Sequence, residues 1–497
     1  MSAIITEKFR QHNANQFHES FSEAAASTYY LFIGKSMSWT SSTTTGSDSS
    51  PPTPADDVGE IHYYAWDSML AAKKIASTDI TFAIPRRNFA DGTTYDMYKH
   101  NISSSSTTTS GASNLYDSTF FFVTSDLRVY KVLDNNGGSA YSGAEPTSES
   151  NSAFALGGYV LKYMYKITAS EAAKFATTDY IPVSTDSTVS GAATDGAIDS
   201  ISVTAGSGYT DGTYYAAVFG DGTSQGTSSG AVIRITVTSG SLVSFGLTAG
   251  TDTTIHAVGA GYTFGTVNLD TVFSDSSLSS STTIGSGTGG AVDVIISPKG
   301  GHGSDAVAEL GGHFVMNAVT LTQAEGDDIT VSNDFRQIGL VVDPTTYGTS
   351  TVASSTTARQ SYVVKASSSS GTFEADEVIT QASTGAVGRV VEWDSNLSLL
   401  YYQQERFSNY GTSSTNSGYV AFSGTNTITG STSGATLTPS DTTETITLAN
   451  ANTLTLTTGY QNPELQPDSG SIIYLENRKP ISRSTDQTED VKLIIEF

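Results

Sequence analysis

The sequence predicts a mainly β fold with a few α-helices, and four observations carry that expectation. Charged residues make up only 15% of the 497-residue chain, against a usual value of about a quarter, and Ser, Thr and Gly fill the gap. Hydroxyl-rich, β-branched sequence with 47 Gly and only 12 Pro suits pleated strands joined by many turns. Short windows alternate in strand fashion: Val491, Leu493, Ile495 and Phe497 are interleaved with Lys492, Ile494 and Glu496. Finally, internal repeats with strand-and-turn texture emerge from about Asp195 onward.

The length corresponds to about three or four folding units, and 25 Tyr and 21 Phe supply bulk for their cores. A formal charge of −25 argues against nucleic-acid binding, which needs clustered Lys and Arg facing phosphate. The same charge keeps free subunits apart until a matched surface overcomes the repulsion. The absence of Cys excludes disulfides and thiolate metal sites, and fits folding in a reducing cytoplasm. Glu7, Lys8 and Arg10 interrupt any signal-peptide pattern, and no apolar run reaches membrane-spanning length. No membrane partner is expected.

Along the chain, Phe9, Phe17 and Phe21 recur at multiples of four, with Ala14 to one side, predicting an amphipathic helix over 5–24. Leu31 to Ile33 reads as a strand, and 40–54 as a Ser/Thr/Pro loop. Asp56 or Asp57 is placed to cap a helix through Ile75 that buries Ile61, Ala65, Met69 and Trp66. Residues 101–114 are low-complexity and read as a mobile loop. Strands follow at Thr119–Thr124, Arg128–Leu133 and Tyr159–Ile167, and Thr168 with Glu171 forms a capping-box pattern for a helix through Phe175.

Two different repeats then appear. Gly206-Ser-Gly-Tyr-Thr-Asp-Gly-Thr213 recurs as Gly259-Ala-Gly-Tyr-Thr-Phe-Gly-Thr266, and downstream Gly230-Ala231-Val232 is echoed by Gly290-Ala291-Val292. Glycines serve as tight turns in this reading. Farther on, Phe373, Ile379, Thr380, Gly385 and Ala386 recur under one constant shift as Phe422, Ile428, Thr429, Gly434 and Ala435.

The stretch from Ser469 to Phe497 reads as two strands around a polar loop, the first containing the apolar run Ile472 to Leu475. With Tyr474, Glu476, Asn477, Arg478, Pro480, Asp486, Gln487, Thr488 and Glu489, it resembles the C-terminal signature of the baseplate-wedge protein of T-even-type contractile-tailed phages. Other segments follow that family's pattern in order: Lys8 to Arg10, Ile33 to Trp39 (IGKSMSW), Pro51 and Pro52 before Asp57, Trp66 and Met69, Ile84 to Phe89 (IPRRNF), Tyr95 and Tyr98. Val129 to Asp134, Gly158 to Ile167 and Phe335 to Pro344 (FRQIGLVVDP) continue the series. The resemblance covers roughly 6–182, 299–344 and 469–497.

This resemblance implies a β-sandwich-like core with a few flanking α-helices, interrupted where the likeness lapses by inserted all-β repeat modules. The expected organisation is a core built from 1–190, 299–344 and 466–497, with inserts at 191–298 and 345–465. It implies a homodimeric structural component of a baseplate wedge, linking neighbouring wedge proteins and moving as a rigid body during sheath contraction. Localisation would be the virion tail baseplate, assembled in the host cytoplasm, without cofactor or catalysis. Arg86, Arg87, Tyr474, Glu476, Asn477, Arg478, Pro480, Asp486, Gln487 and Thr488 stand out as interface or architecture residues. For Arg86 and Arg87, two readings stay open: a carboxylate on a partner subunit, or an intrachain salt bridge.

Chemical motifs are poorly supported. Gly34-Lys35-Ser36 has Tyr29 where a phosphate loop needs glycine, and Gly285-x-Gly-x-x-Gly290 lacks a βαβ setting. His302, Asp305, Glu309 and His313 form the most metal-like cluster, but without a defensible ligand spacing, and a structured glycine turn is favoured. Asp211, Asp221, Asp252 and Asp270 lack a calcium-loop pattern. No Gly-x-Ser-x-Gly elbow sits between strand and helix, and adjacent Asp327 and Asp328 would point to opposite faces of a strand. The alternative function is a tail-associated protein binding host-surface glycan through Tyr209, Tyr214, Tyr262, Trp393, Tyr401 and Tyr402, although core packing accounts for these more simply.

Overall fold

The computed structural model describes residues 6–23, 26–39, 46–54, 60–322, 324–326, 328–331, 333–406, 418–449, 451–484 and 487–497. Asp56, Asp57, Asp327 and Asp486 lie outside these residues. The described chain is mainly β with few helices, and it divides into two compact units. The first comprises Met1–Gln16, Thr81–Met316 and Ile494–Phe497, the second Phe17–Ile80 and Asn317–Leu493. Among the described residues, no helix is long and apolar enough to cross a membrane.

In the first unit, Phe121–Val123, Arg128–Asp134, Tyr159–Lys166 and Phe154–Leu156 form a four-stranded antiparallel sheet in that order. Its core is aromatic: Phe120, Phe121, Phe122, Tyr130, Tyr141, Tyr159, Tyr163 and Tyr165 are all buried. Thr168 and Glu171 make the expected reciprocal cap on the helix Ala169–Phe175. The low-complexity stretch 101–114 is tied down rather than free-standing. Buried Asp96 accepts hydrogen bonds from the Ser110 N–H (2.8 Å) and hydroxyl (2.6 Å) and from the Thr119 N–H (2.9 Å).

The first repeat module hangs on a long antiparallel pair, Ile198–Ser207 with Thr288–Ile296. Its two copies lock each other. The Tyr209 hydroxyl of copy one accepts from the Gly290 N–H of copy two (2.9 Å), and the Tyr262 hydroxyl of copy two accepts from the Ala231 N–H of copy one (3.1 Å). Glycine here does more than turn the chain. A Cβ on Gly287 would lie 2.3 Å from the Tyr209 ring, and one on Gly222 would lie 2.3 Å from the Tyr262 ring.

In the second unit, a five-stranded antiparallel sheet runs in the order Thr357–Arg359, Met69–Lys74, Tyr29–Gly34, Phe335–Val342, Ser471–Ile481. Tyr30, Phe32, Trp66, Met69, Val341 and Leu465 form its core. The helix expected through Ile75 ends at Ser68, and Met69–Lys74 is a strand instead. The run Met69 to Ala72 is buried throughout, and an unbroken apolar run fits a central strand and a buried helix equally. Pairing on both sides decides for the strand. The predicted N-terminal helix forms over Glu7–Glu19 with Ala14 its buried residue. Of the predicted apolar positions, Phe17 and Phe21 pack edge-on with ring centroids 5.2 Å apart and Phe21 is buried, whereas Phe9 is 54% exposed.

The second repeat module is a closed β-barrel. Tyr362–Ser370 pairs with both Leu399–Gln403 and Thr436–Pro439, and Ala386–Asp394, Val378–Gln381 and Ile428–Gly430 complete the ring. Equivalent repeat positions face each other across the copies: Thr380 pairs with Thr429, placing a local two-fold axis between them. Phe373, Ile379 and Ala386 and their counterparts Phe422, Ile428 and Ala435 share one core. The two strands around the Ser469–Phe497 loop form over Ser471–Ile481 and Thr488–Glu496, in different sheets rather than as a hairpin.

Candidate functional site

Three segments far apart in sequence meet in the second unit. The central strand ends at Gly34, which is paired on both sides, so the Gly-Lys-Ser element is a strand end and not a phosphate cradle. Lys35 turns the chain at φ 61, and the Ser36 carbonyl accepts from Arg336 Nη1. Arg336 grips Asp48 in a fork, Nε to Oδ1 at 3.0 Å and Nη2 to Oδ2 at 3.3 Å. The Trp39 N–H donates to the same carboxylate at 2.9 Å, and the Trp39 indole donates to the Arg478 carbonyl at 2.9 Å. Arg336 hydrogen bonds, with the Trp39 amide, hold the Asp48 carboxyl below its usual range.

The network continues through Asn477. Its Oδ1 accepts from Gln337 Nε2 at 2.8 Å, and its Nδ2 donates to the Pro52 carbonyl at 2.9 Å. Phe335 faces Ile481 and Gln337 faces Asn477, so Arg478, Lys479 and Pro480 bulge opposite Arg336 alone. Pro480, lacking an N–H, occupies this interruption of the ladder. On the outer strand, Arg478 Nη1 donates to Glu476 Oε1 at 2.9 Å and the Tyr474 hydroxyl to Glu476 Oε2 at 3.1 Å. Burial and the Glu476 charge push the Tyr474 hydroxyl up to about 12, keeping it a donor. Gln487 and Thr488 are exposed. Arg483, whose guanidinium bonds Glu489 Oε2 at 2.9 Å, is a buried partner that sequence reasoning missed.

In the first unit, neither Arg86 nor Arg87 has a carboxylate at salt-bridge distance among the described residues. Arg86 donates to the Thr177 carbonyl (3.0 Å) and Asn88 Oδ1 (2.8 Å). Arg87 donates to the Tyr116 carbonyl (2.8 Å) and lies 4.4 Å over the Phe121 ring. Burial lowers the Arg87 guanidinium to about 10, and its Nη1 is buried without a hydrogen-bond partner among the described residues.

A second convergence in this unit also escaped sequence reasoning. Arg10 donates to the Phe497 carbonyl at 2.6 Å and pairs with Glu496, while the Phe497 N–H donates to the His313 carbonyl at 3.1 Å. His313 Nδ1 lies 3.4 Å from Glu7, and burial lowers its pKa. The other residues of the His302–His313 stretch do structural work. Asp305 caps the short helix Ala306–Leu310, and Gly311 ends it at φ 81. Glu309 and Lys131 form a fully buried pair at 2.7 Å, and Glu309 also accepts from the Gly303 N–H. His302 packs edge-on against Tyr98, with burial and two nearby lysines holding its pKa well below 6.5. Among the described residues, no group of three or more His, Cys, Asp or Glu is arranged to hold a metal.

Tyr209, Tyr214, Tyr262 and Tyr402 are buried in the module cores, Trp393 packs on Phe373, and Tyr401 is buried outside the barrel core. Asp221 accepts from the N–H groups of Thr263 and Phe264, and Asp252 from that of Thr248. Both are turn-capping carboxylates. What the Arg336 network offers is therefore a rigid, acid-lined seam between segments, with its outer strand exposed.

Comparison with known families adds one match: the model of the family described as Bacteriophage T4, Gp8 matches residues 3–144 and 439–497. The matched residues include Trp39, Asp48, Arg86, Arg87 and the whole Ser471–Ile481 strand. No curated protein matches the chain.

Proposed function

The chain belongs to the family described as Bacteriophage T4, Gp8, whose members are structural proteins of the phage baseplate wedge, and from that premise we propose that it acts as a homodimeric, non-catalytic linker between neighbouring wedge proteins. A baseplate protein contacts other baseplate proteins in the virion tail. In our reading the subunit assembles in the host cytoplasm and shifts as a rigid body when the sheath contracts, a task that large interfaces perform without an active site.

The observation that carries this reading is the Asp48–Arg336–Trp39–Arg478 network, in which charged side chains are spent on joining backbone segments. Nothing in it is left poised for a reaction. The outer strand Ser471–Ile481, with Tyr474, Glu476, Arg478 and exposed Ile473, is the docking edge we favour, together with Gln487 and Thr488. Arg86 and Arg87 form a second candidate contact, supported by the unpartnered Arg87 Nη1.

Both repeat modules are proposed as peripheral insertions into the core. Support comes from where they leave and rejoin it. Ile198 pairs with Ile296, and the Gln466 N–H donates to the Thr345 carbonyl at 2.8 Å, so each excursion starts and ends at one point. Since Thr357–Arg359 belongs to the five-stranded sheet, we take the excisable part of the second module as 362–461. Light scattering of the purified chain, followed by mixing with other wedge proteins, tests the proposal. A dimer that joins the wedge supports it; a monomer that joins nothing refutes it.

A further inference from the structure

Beyond its structural role, we propose that the second unit carries a binding cleft for neutral oligosaccharide, beside the barrel module. An open groove of about 630 Å³ is lined by Tyr347, Tyr460, Thr457, Gln461, Asn462 and Glu464, with serine and threonine hydroxyls completing the wall. Tyr347 and Pro463 also line an inner recess of about 150 Å³, so the two spaces share a wall.

Three features select the ligand class. First, the groove lining is dense in hydroxyls and amides that both donate and accept, which matches a polyol rather than an apolar ligand. The half-buried rings of Tyr347 and Tyr460 add flat apolar faces suited to the C–H face of a pyranose. Second, the charge is wrong for an anion. Glu464 is the groove's carboxylate and no Lys or Arg lines it. In the recess, Arg406 is committed to Asp67 at 2.6 Å and to Asp468.

Third, polar capacity is left unused where a ligand would lie. Trp66 and Gln360 line the recess at 2% and 4% exposure, and Trp66 Nε1 and Gln360 Oε1 have no hydrogen-bond partner among the described residues. Gln461 Oε1, in the groove, is likewise buried and unpartnered. Unpaired buried donors and acceptors favour an occupant that pairs them.

The test uses the full-length protein titrated with neutral gluco-, manno- and galacto-oligosaccharides, followed by tryptophan and tyrosine fluorescence and saturation-transfer NMR. Sialylated and sulfated chains serve as contrast. Binding of a neutral chain is expected, tighter for the oligomer than for its monosaccharide if a surface polymer is the source, and equal for both if a free sugar is. Tyr347→Ala and Gln461→Ala should each weaken it about tenfold, while Phe264→Ser, which removes an exposed ring in the first module, should leave it unchanged. If Tyr347→Ala loses its near-ultraviolet circular dichroism, exposed Asn462→Ala replaces it. The proposal falls if no neutral chain binds, if acidic chains bind better, or if the folded cleft variants bind like the wild type. Each of those outcomes leaves the wedge reading standing.

Discussion

The module carrying Tyr209 and Tyr262 shares its core with its host strands, whereas the module carrying Ile379 and Ile428 closes a core of its own. Leu133 and Val160, from the four-stranded sheet of the first unit, sit in the same cluster as Ile198, Ile201 and Val294 of the first module, and Ser200 donates to the Leu133 carbonyl at 2.7 Å. The barrel cluster draws only on 362–460 among the described residues. The module also makes polar links outside that cluster, with Gln403 donating to the Met69 carbonyl at 2.7 Å and Arg406 held by Asp67. Its Val363, Val391, Leu399 and Tyr401 are buried without belonging to the cluster. The two duplicated β-modules thus differ in whether the cluster at their centre includes residues of the host strands.

Excision gives the sharpest test of that difference. Replacing 198–296 by a short linker exposes Leu133 and Val160, at roughly 1.5–3 kcal/mol for each side chain, and should lower the urea midpoint of the remaining chain markedly. Replacing 362–461 removes the barrel cluster whole, with no host residue in it, and should shift that midpoint less, leaving only the burial made by Val363, Val391, Leu399 and Tyr401 to be lost. Equal shifts would erase the distinction.

Within the barrel, Ile379→Ala and Ile428→Ala should each cost about 2–5 kcal/mol, and by the same amount, because the two sites are related by the local two-fold. Clearly unequal losses in thermal unfolding would break the symmetry argument. In the first module the cross-lock predicts a smaller effect. Tyr262→Phe strands the buried Ala231 N–H at about 1–3 kcal/mol, and Tyr209→Phe, at a less buried site, should cost less.

Acid gives the smallest contrast. Burial raises the Glu377 pKa, but the N–H groups of Thr432, Ser433 and Glu374 and the Ser433 hydroxyl outweigh it, leaving the carboxyl below its ordinary value. A depressed carboxyl stabilises the fold fully above its unfolded pKa of about 4.3 and loses that contribution as pH falls through the folded value. Glu377→Gln should therefore flatten the acid limb of barrel stability. Asp221, lowered chiefly by the Thr263 hydroxyl but fully exposed, should give a weaker version of the same change on Asp221→Asn.

Local chemistry was legible in the sequence. Alternation, glycine turns and the Thr168 capping box marked the elements correctly, and the constant shift from Phe373 to Phe422 announced a duplication whose copies do pair. The Met69–Ala72 strand was not legible, because a fully buried apolar run has the same pattern in either conformation. Phe17 and Phe21 were legible as packed positions, but exposed Phe9 was not, since periodicity marks a stripe along a helix without showing where along it the core ends.

The sequence alone determined the β texture, the two repeats and the family, all properties carried by neighbouring residues or by ordered motifs. Only the tertiary structure decided that Asp48, from a Ser/Thr/Pro loop, would neutralise Arg336, that Trp39 would hold the Arg478 carbonyl, and that Tyr209 would brace Gly290 rather than its own copy. Those choices are set by sheet order and register. They bring together groups from 81 to 439 residues apart whose need for a partner is visible in the chain, but whose partner is not.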